Sequence, residues 1–348
     1  MCQDLRTTIS RGWPPKSQRG KEQMSLTIRS DDVYRTYAVD QEPQKLFEKA
    51  TEWITAVQAT EFDSGNQALV AKEVEDGMIR ALFGSNMIER AGLGWDITVQ
   101  ICRKIFAGED VGDIPEREPY YLDNLVKIYR GQQRDLQDVP ARHILRGRTE
   151  IIQHARAFQH IIHAFVVSHQ DLTEELIKET HKILTHNTPI IQHGSPDVPA
   201  EQYGGAYRTV IVGAGSTNFT VPRFVPVKMK QMCQRLKEKL AAAEEKGRID
   251  PVSVATKYSL EFVQIHPFQD GNGRMCRLIL NVILCRYAGI IVPIGEHGED
   301  RKEYIDIKVR ASEEMEGHGE YATFVLGKVV ERLREMREKI AGRCDKCR

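Results

Sequence analysis

The sequence predicts a mainly α-helical fold, and three features of its 348 residues carry the prediction. Apolar side chains recur every three or four positions along most of the chain, as helices that bury one face require. Asp250-Pro251 sets an N-cap acceptor before a proline at the first helical position, where the fixed φ is already helical and the missing N–H costs nothing. Strand signals are short: in Tyr207-Arg208-Thr209-Val210-Ile211-Val212 β-branched residues run into Gly213-Ala214-Gly215, the pattern of a strand and its turn.

Taken in order, residues 1–30 bear Arg and Ser, few acids and Pro14-Pro15, and read as a flexible tail. Asp4, Glu22 and poor apolar periodicity speak against a mitochondrial presequence there. An N-terminal helical region is expected over 31–135, with amphipathic helices at 43–60, 66–90, 95–107 and 119–135. In the second of these, Ser85 and Glu89 stand four apart on one face, while Leu82, Phe83, Met87 and Ile88 supply packing; alone this reads as a surface Glu on an amphipathic helix. A second domain is expected over 136–340. It holds a helix from Leu172 to Leu184 entered at Asp171 or Thr173, and another over 224–245 bounded by Pro226 and Gly247. A third runs from Pro251 through Val254, Tyr258, Phe262 and Ile265, and a charged terminal helix covers 321–340. No internal repeat is present.

The densest chemistry lies in His266-Pro267-Phe268-Gln269-Asp270-Gly271-Asn272-Gly273-Arg274-Met275-Cys276-Arg277. Two glycines and two turn-prone residues favour a tight loop, and Leu278, Ile279, Val282, Ile283 and Leu284 continue it as a helix. Backbone N–H groups at such a junction are unpaired and sit at the positive end of the helix dipole, so the junction attracts anions. Arg274 and Arg277 share a helical face and can clamp a polyphosphate at two places. Asp270 offers the hard oxygen that Mg²⁺ takes alongside phosphates, and a neutral His266 can accept a proton from a hydroxyl. These groups together point to transfer from a nucleotide to a hydroxyl.

This run resembles the signature of Fic-domain proteins, His-Pro-Phe-x-Asp/Glu-Gly-Asn-Gly-Arg-x-x-Arg, with every specified position filled. The resemblance implies a Fic-type helical core with a short β-hairpin flap, and an enzyme that moves AMP from Mg-ATP to a Ser, Thr or Tyr hydroxyl of a protein. It implies His266 as base, Asp270 as Mg²⁺ ligand, Gly271 to Gly273 with the Asn272 side chain as phosphate cradle, Arg274 and Arg277 on the outer phosphates, and Phe268 as anchor. It makes the 207–215 segment the flap, with Val212, Gly213, Ala214 and Gly215 beside the nucleotide and the target protein bound along it. Arg301 and Tyr304 resemble residues near the adenine, although Ile305 stands where the family often has Tyr, and Ser312 where Asn is common.

Ser85-x-x-x-Glu89 in turn resembles the family's inhibitory motif, in which the Glu takes the second motif arginine, here Arg277, from the γ-phosphate. Arg90 departs from it, since the family has Gly or Asn there, and can compete for Glu89. Self-inhibited adenylyl transfer is therefore the leading expectation. Removal of AMP with Glu89 placing a water, and a nucleotide-binding module without turnover, stay open beside it, as does a different donor base.

Lys plus Arg and Asp plus Glu both number 49, so no basic field suggests nucleic acid. Seven scattered cysteines form no disulfide framework and suit the cytoplasm or nucleus; Cys344-x-x-Cys347 lacks the second pair a zinc site needs. The most apolar run, 278–294, is broken by Asn281, Arg286, Gly289 and Pro293, so no membrane span is expected. His160 and His163 share a helical face without a completing ligand, and a homodimer is left open.

Overall fold

A computed structural model describes residues 24–27, 34, 42–59, 64–112, 119–191, 196–213, 219–313 and 317–344. The elements in chain order are β1 (Ser25–Leu26), α1 (Pro43–Ala59), α2 (Ser64–Ile88), α3 (Trp95–Phe106), α4 (Pro119–Gln132), α5 (Ala141–Ile161) and α6 (Glu174–Leu184). After these come a short α7 (Ala200–Tyr203), α8 (Val225–Lys246), β2 (Arg248–Ile249), α9 (Pro251–Ile265), α10 (Asn272–Ala288), α11 (Gly298–Glu313) and α12 (Gly319–Cys344). The fold is mainly α, and each helix expected from the sequence is present. Thr173 caps α6 by accepting from Leu176 N at 3.2 Å, and Asp250 caps α9 by accepting from Ser253 N at 2.9 Å. Among the described residues no helix is long and apolar enough to cross a membrane.

Helix α10 is the axis of the packing. Every residue of it except Gly273 is buried, so it must be covered on all sides. The α9 helix lies along it, and α2, α5 and a π-helical turn that prolongs α5 over Ile162–Val167 close the remaining faces. Burying Leu278, Ile279, Val282, Ile283 and Leu284 contributes about 1.5–3 kcal/mol each. Two polar residues of α10 tie down neighbouring chain. Asn281 donates to Val292 O at 3.1 Å and accepts from Val292 N at 2.7 Å, pinning the segment after α10. Arg286 donates to Phe165 O at 3.2 Å in the π turn and lies 3.3 Å from Glu244 of α8.

Helix α2 is fixed along its length. Buried Glu73 receives Arg332 at 3.1 Å and Lys339 at 2.8 Å, both from α12. Arg80 bridges Glu296 at 2.8 Å and Glu335 at 2.7 Å. Near its C-terminus, a Cβ on Gly84 would collide with the Ile294 carbonyl, and one on Gly295, whose φ is +87°, would lie 2.5 Å from Ile88. That close approach fixes where the residue after Ile88 begins.

Two expectations need amendment. Within the stretch read as a tail, Ser25 and Leu26 pair in parallel with Arg248 and Ile249, and Met24 is buried. The cause lies in α8: Gly247 ends it in the left-handed region, φ +62°, and turns the next two residues into a strand edge. The 207–212 run bends at Val210 and joins no strand ladder among the described residues; Arg208 N instead donates to Pro267 O at 2.9 Å.

Replacing Asn281 with Leu would leave both backbone groups of Val292 buried without partners. We expect urea unfolding to show a loss of about 3 kcal/mol, with the slope of the transition unchanged.

Candidate active site

Helix α9 ends on His266, which takes the left-handed conformation, φ +52°, while its N–H still donates to Phe262 O at 3.0 Å. This turn folds the ring back so that Nδ1 lies 3.2 Å from Val263 O. A carbonyl only accepts, so Nδ1 carries the proton and Nε2 keeps its lone pair. Burial pushes the imidazole pKa down to about 4 against the opposing Val263 hydrogen bond, so the ring is neutral at pH 7. Phe219 stacks on it at 3.8 Å. The result is an oriented base with one free nitrogen.

The loop that follows is held from inside. Phe268 is fully buried and stacks on His181 with centroids 3.6 Å apart. Asn272 accepts from Phe268 N at 2.9 Å and donates to Phe268 O at 2.8 Å. Its side chain, expected at the phosphate, is thus spent in closing the loop, because the turn has no other partners for those two backbone groups. The backbone of 271–273 remains as the cradle, entered by Gly271 at φ +78°.

Two residues missed as functional in the sequence support this loop. His181 accepts from Gly205 N at 2.9 Å through Nδ1, so its Nε2–H donates to Asp270 O at 2.8 Å. Burial pushes its pKa down to about 4, opposed by that bond to Asp270. Buried Arg208 donates to His266 O at 2.6 Å, Val210 O at 2.9 Å and Thr220 O, tying both ends of the flap to the motif. The available signal was an arginine inside a β-branched run, where a cation must find a buried partner.

The first turn of α10 faces an anion, and that anion is the protein's own. A Cβ on Gly273 would collide with Oε1 of Glu89, and the same oxygen lies 2.6 Å from Arg277 Nη2. Arg277 also donates to Ser85 Oγ at 2.8 Å and Ser85 O at 3.0 Å. Burial, the largest influence, works against its charge, yet Glu89, Tyr304 and Cys276 together push its pKa above the usual value. Arg90 adopts φ +55° at the end of α2, a left-handed position that Gly or Asn fills at less cost. Its exposed side chain leaves Glu89 to Arg277, so the expected competition is not realised.

Arg274 is buried, with one nitrogen 3.6 Å from Asp270, and its Nε and Nη1 have no hydrogen-bond partner. Buried guanidinium nitrogens without acceptors mark a place where an anion belongs. Arg301 and Tyr304, expected at a base, have structural partners instead. Arg301 donates twice to Ile88 O at 3.2 Å, which caps α2, and the buried Tyr304 ring lies 5.7 Å from the Arg277 guanidinium. Val212 and Gly213 lie in the exposed flap; Ala214 and Gly215 fall outside the described residues.

The Fic/DOC family profile matches residues 171–284, from the cap of α6 to the middle of α10. The chain carries a Fic domain. Its sequence is 36% identical over 93 residues to protein adenylyltransferase fic-1 of Caenorhabditis elegans, a span covering 26% of this chain and 18% of that protein. The chain thus spans about a fifth of the length of that curated relative. A Fido domain-containing protein of Dictyostelium discoideum is 35% identical over 102 residues, 29% of this chain and 66% of its own. Fic-1 from C. elegans shares the fold at TM-score 0.61 and 17% identity, with 86% of this chain and 73% of that one covered. The match extends the likeness beyond the Fic domain to the upstream helices.

The two histidines of this Fic domain make stability depend on pH. An unfolded imidazole takes up a proton near pH 6.5, whereas His181 and His266 in the fold resist protonation down to about pH 4. Between those values the unfolded state binds more protons, so stability should fall as pH is lowered from 6.5 towards 4. Thermal melts across that range should show the decline, and His181→Gln should flatten it.

Proposed function

We propose that the protein is a self-inhibited adenylyltransferase that moves AMP from ATP to a Ser, Thr or Tyr hydroxyl of a protein, with 31–135 as regulatory region and 136–340 as catalytic domain. The observation that carries this reading is the Glu89 carboxylate lodged between Gly273 and Arg277, which supports an anion site at the first turn of α10 with Glu89 as the group that blocks it. Beside it, Nε2 of neutral His266 can take the hydroxyl proton. The hydroxyl oxygen then bonds to the α-phosphorus, the bond to the bridging oxygen of the β-phosphate breaks, and pyrophosphate leaves.

Arg274, with two unpartnered nitrogens, and Arg277, once released by Glu89, suit the outer phosphates. Asp270, half-exposed at the mouth of the loop, is the residue that would hold Mg²⁺, an ion satisfied by one carboxylate with substrate phosphates. When bound, the ion would supply charge neutralisation on those phosphates. With Glu89 in place, Arg277 is unavailable and a carboxylate repels the γ-phosphate, so ATP is held in a pose that misaligns the α-phosphorus. Removal of AMP is a second reading, favoured by the nearness of Glu89 to His266, whose proton affinity it raises.

Glu89→Gly should raise AMP transfer, and adding His266→Ala should then reduce it by roughly 10²–10⁴-fold. Intact-mass spectrometry after incubation with Mg-ATP reads this as a self-modification adduct. An unchanged adduct level in Glu89→Gly across ATP concentrations would remove the inhibitory role, and a double mutant within a few-fold of Glu89→Gly would remove the base. ATP should also raise the melting temperature of Glu89→Gly more than that of the wild type, since only the variant leaves Arg277 to the nucleotide.

A further inference from the structure

The flap and the start of α8 form a surface unlike the rest of the molecule. From Gln202 to Lys237 there is no Asp or Glu, while Arg208, Arg223, Lys228, Lys230, Arg235 and Lys237 all fall there, in a chain whose charges balance at 49 each. Three of these cations have partners: Arg208 is bound to carbonyls, Arg235 pairs with Glu261, and Lys237 lies 2.9 Å from Asp171. Arg223, Lys228 and Lys230 pair with no acid among the described residues and are exposed.

The same stretch carries exposed apolar side chains. Val210, Ile211, Val221, Phe224 and Val227 are between 45% and 86% exposed, and they make up half of the large apolar side chains exposed among the described residues. They are neighbours in space. The Arg208 guanidinium binds Val210 O and Thr220 O together, which brings Val210 and Ile211 beside Val221. The turn from Val221, closed by Phe224 N donating to Val221 O at 2.9 Å, leads into α8, where Phe224 and Val227 stand three apart on one face. Scattered apolar residues on a surface need no explanation, but a contiguous set rimmed by cations without a carboxylate partner, one of them, Arg223, lying 4.7 Å over the Phe224 ring, marks an interaction site.

We propose that this surface, running from the flap onto the first turn of α8, docks a target segment that is apolar and acidic. The proposal rests on the reading of the chain as a transferase whose target lies along the flap. Apolar side chains of the segment cover Ile211, Val221, Phe224 and Val227, and its carboxylates meet Arg223, Lys228 and Lys230. The charge complementarity favours such a segment over a basic one, and because the surface adjoins His266 through Phe219, a docked segment brings its hydroxyls to the base.

The test uses the full chain without nucleotide and two fluorescein-labelled peptides that share a central threonine. One carries Leu-Glu-Glu-Phe after it and the other Leu-Lys-Lys-Phe. Fluorescence anisotropy should show the acidic peptide binding roughly ten-fold tighter, the advantage shrinking as salt is raised. Lys228→Glu with Lys230→Glu should abolish the preference, and Phe224→Ser with Val227→Ser should weaken binding of the acidic peptide several-fold. All four side chains are exposed, so melting curves should stay at the wild-type temperature.

Equal affinity for the two peptides, no binding of either, or a preference that survives the lysine variants would overturn the proposal. So would tighter capture, through the same lysines, of a single-stranded oligonucleotide or of vesicles of anionic phospholipid. Because anisotropy needs no chemistry, peptide binding with no AMP transfer to the peptide by Glu89→Gly in Mg-ATP would leave the docking surface standing and sink the transferase reading. Transfer with no peptide preference would do the reverse.

Discussion

A positive charge buried at the heart of the molecule governs its arrangement. Arg277 lies on α10, the helix covered on all sides, and a guanidinium taken out of water is tolerable only if its donors are answered. The chain answers with a separate element: α2 delivers the Ser85 hydroxyl and carbonyl and the Glu89 carboxylate to that one side chain. Helices α2 and α10 are therefore joined by the requirement to satisfy one charge. Under the proposed function a triphosphate would compete for the same donors, so the stabilising contact would also be the inhibitory one.

The way α2 is held shapes how that contact can be exchanged. Its body is bonded to α12 through Glu73 and Arg80, its last turn is fitted against Gly295, and Arg301 caps its end. Detaching the helix would break the buried Glu73–Arg332 pair, which is costly, together with the partly exposed bridges of Arg80. Glu89, by contrast, lies one residue beyond the helix, with its side chain partly open to solvent. A rotation about its own side-chain bonds would break its contact with Arg277 while the Ser85 bonds and every other anchor of α2 stay in place.

Much of this was legible in the sequence because local rules decided it. Asp250-Pro251 started a helix, Gly247 ended one, and the two glycines of the motif opened α10. The Glu89–Arg277 pairing was also foreseen, through a resemblance and not through spacing. What escaped depended on tertiary partners. Asn272 has no local cue that its amide turns inward to Phe268, and His181 shows nothing in its helix of the ring and carbonyl that meet it from a loop 89 positions away. The β-branched flap promised a strand, yet its hydrogen bonds go to the motif loop. The π turn after Ile161 presents the Phe165 carbonyl to Arg286, a residue far along the chain.

Arg208 gathers the two ends of the flap at Val210 and Thr220 and fastens them to the carbonyl of His266. A loop closed at its base by one side chain behaves as a module. The entropy of closure is met at the staple and grows only slowly with the length of chain beyond it. Phe219, inside the loop, still stacks on His266, but changes elsewhere between the two anchor points leave the staple in place, so the surroundings of His266 can stay constant while the rest of the flap varies. In that sense the arginine separates the part of the chain that must stay fixed from the part that is free to vary.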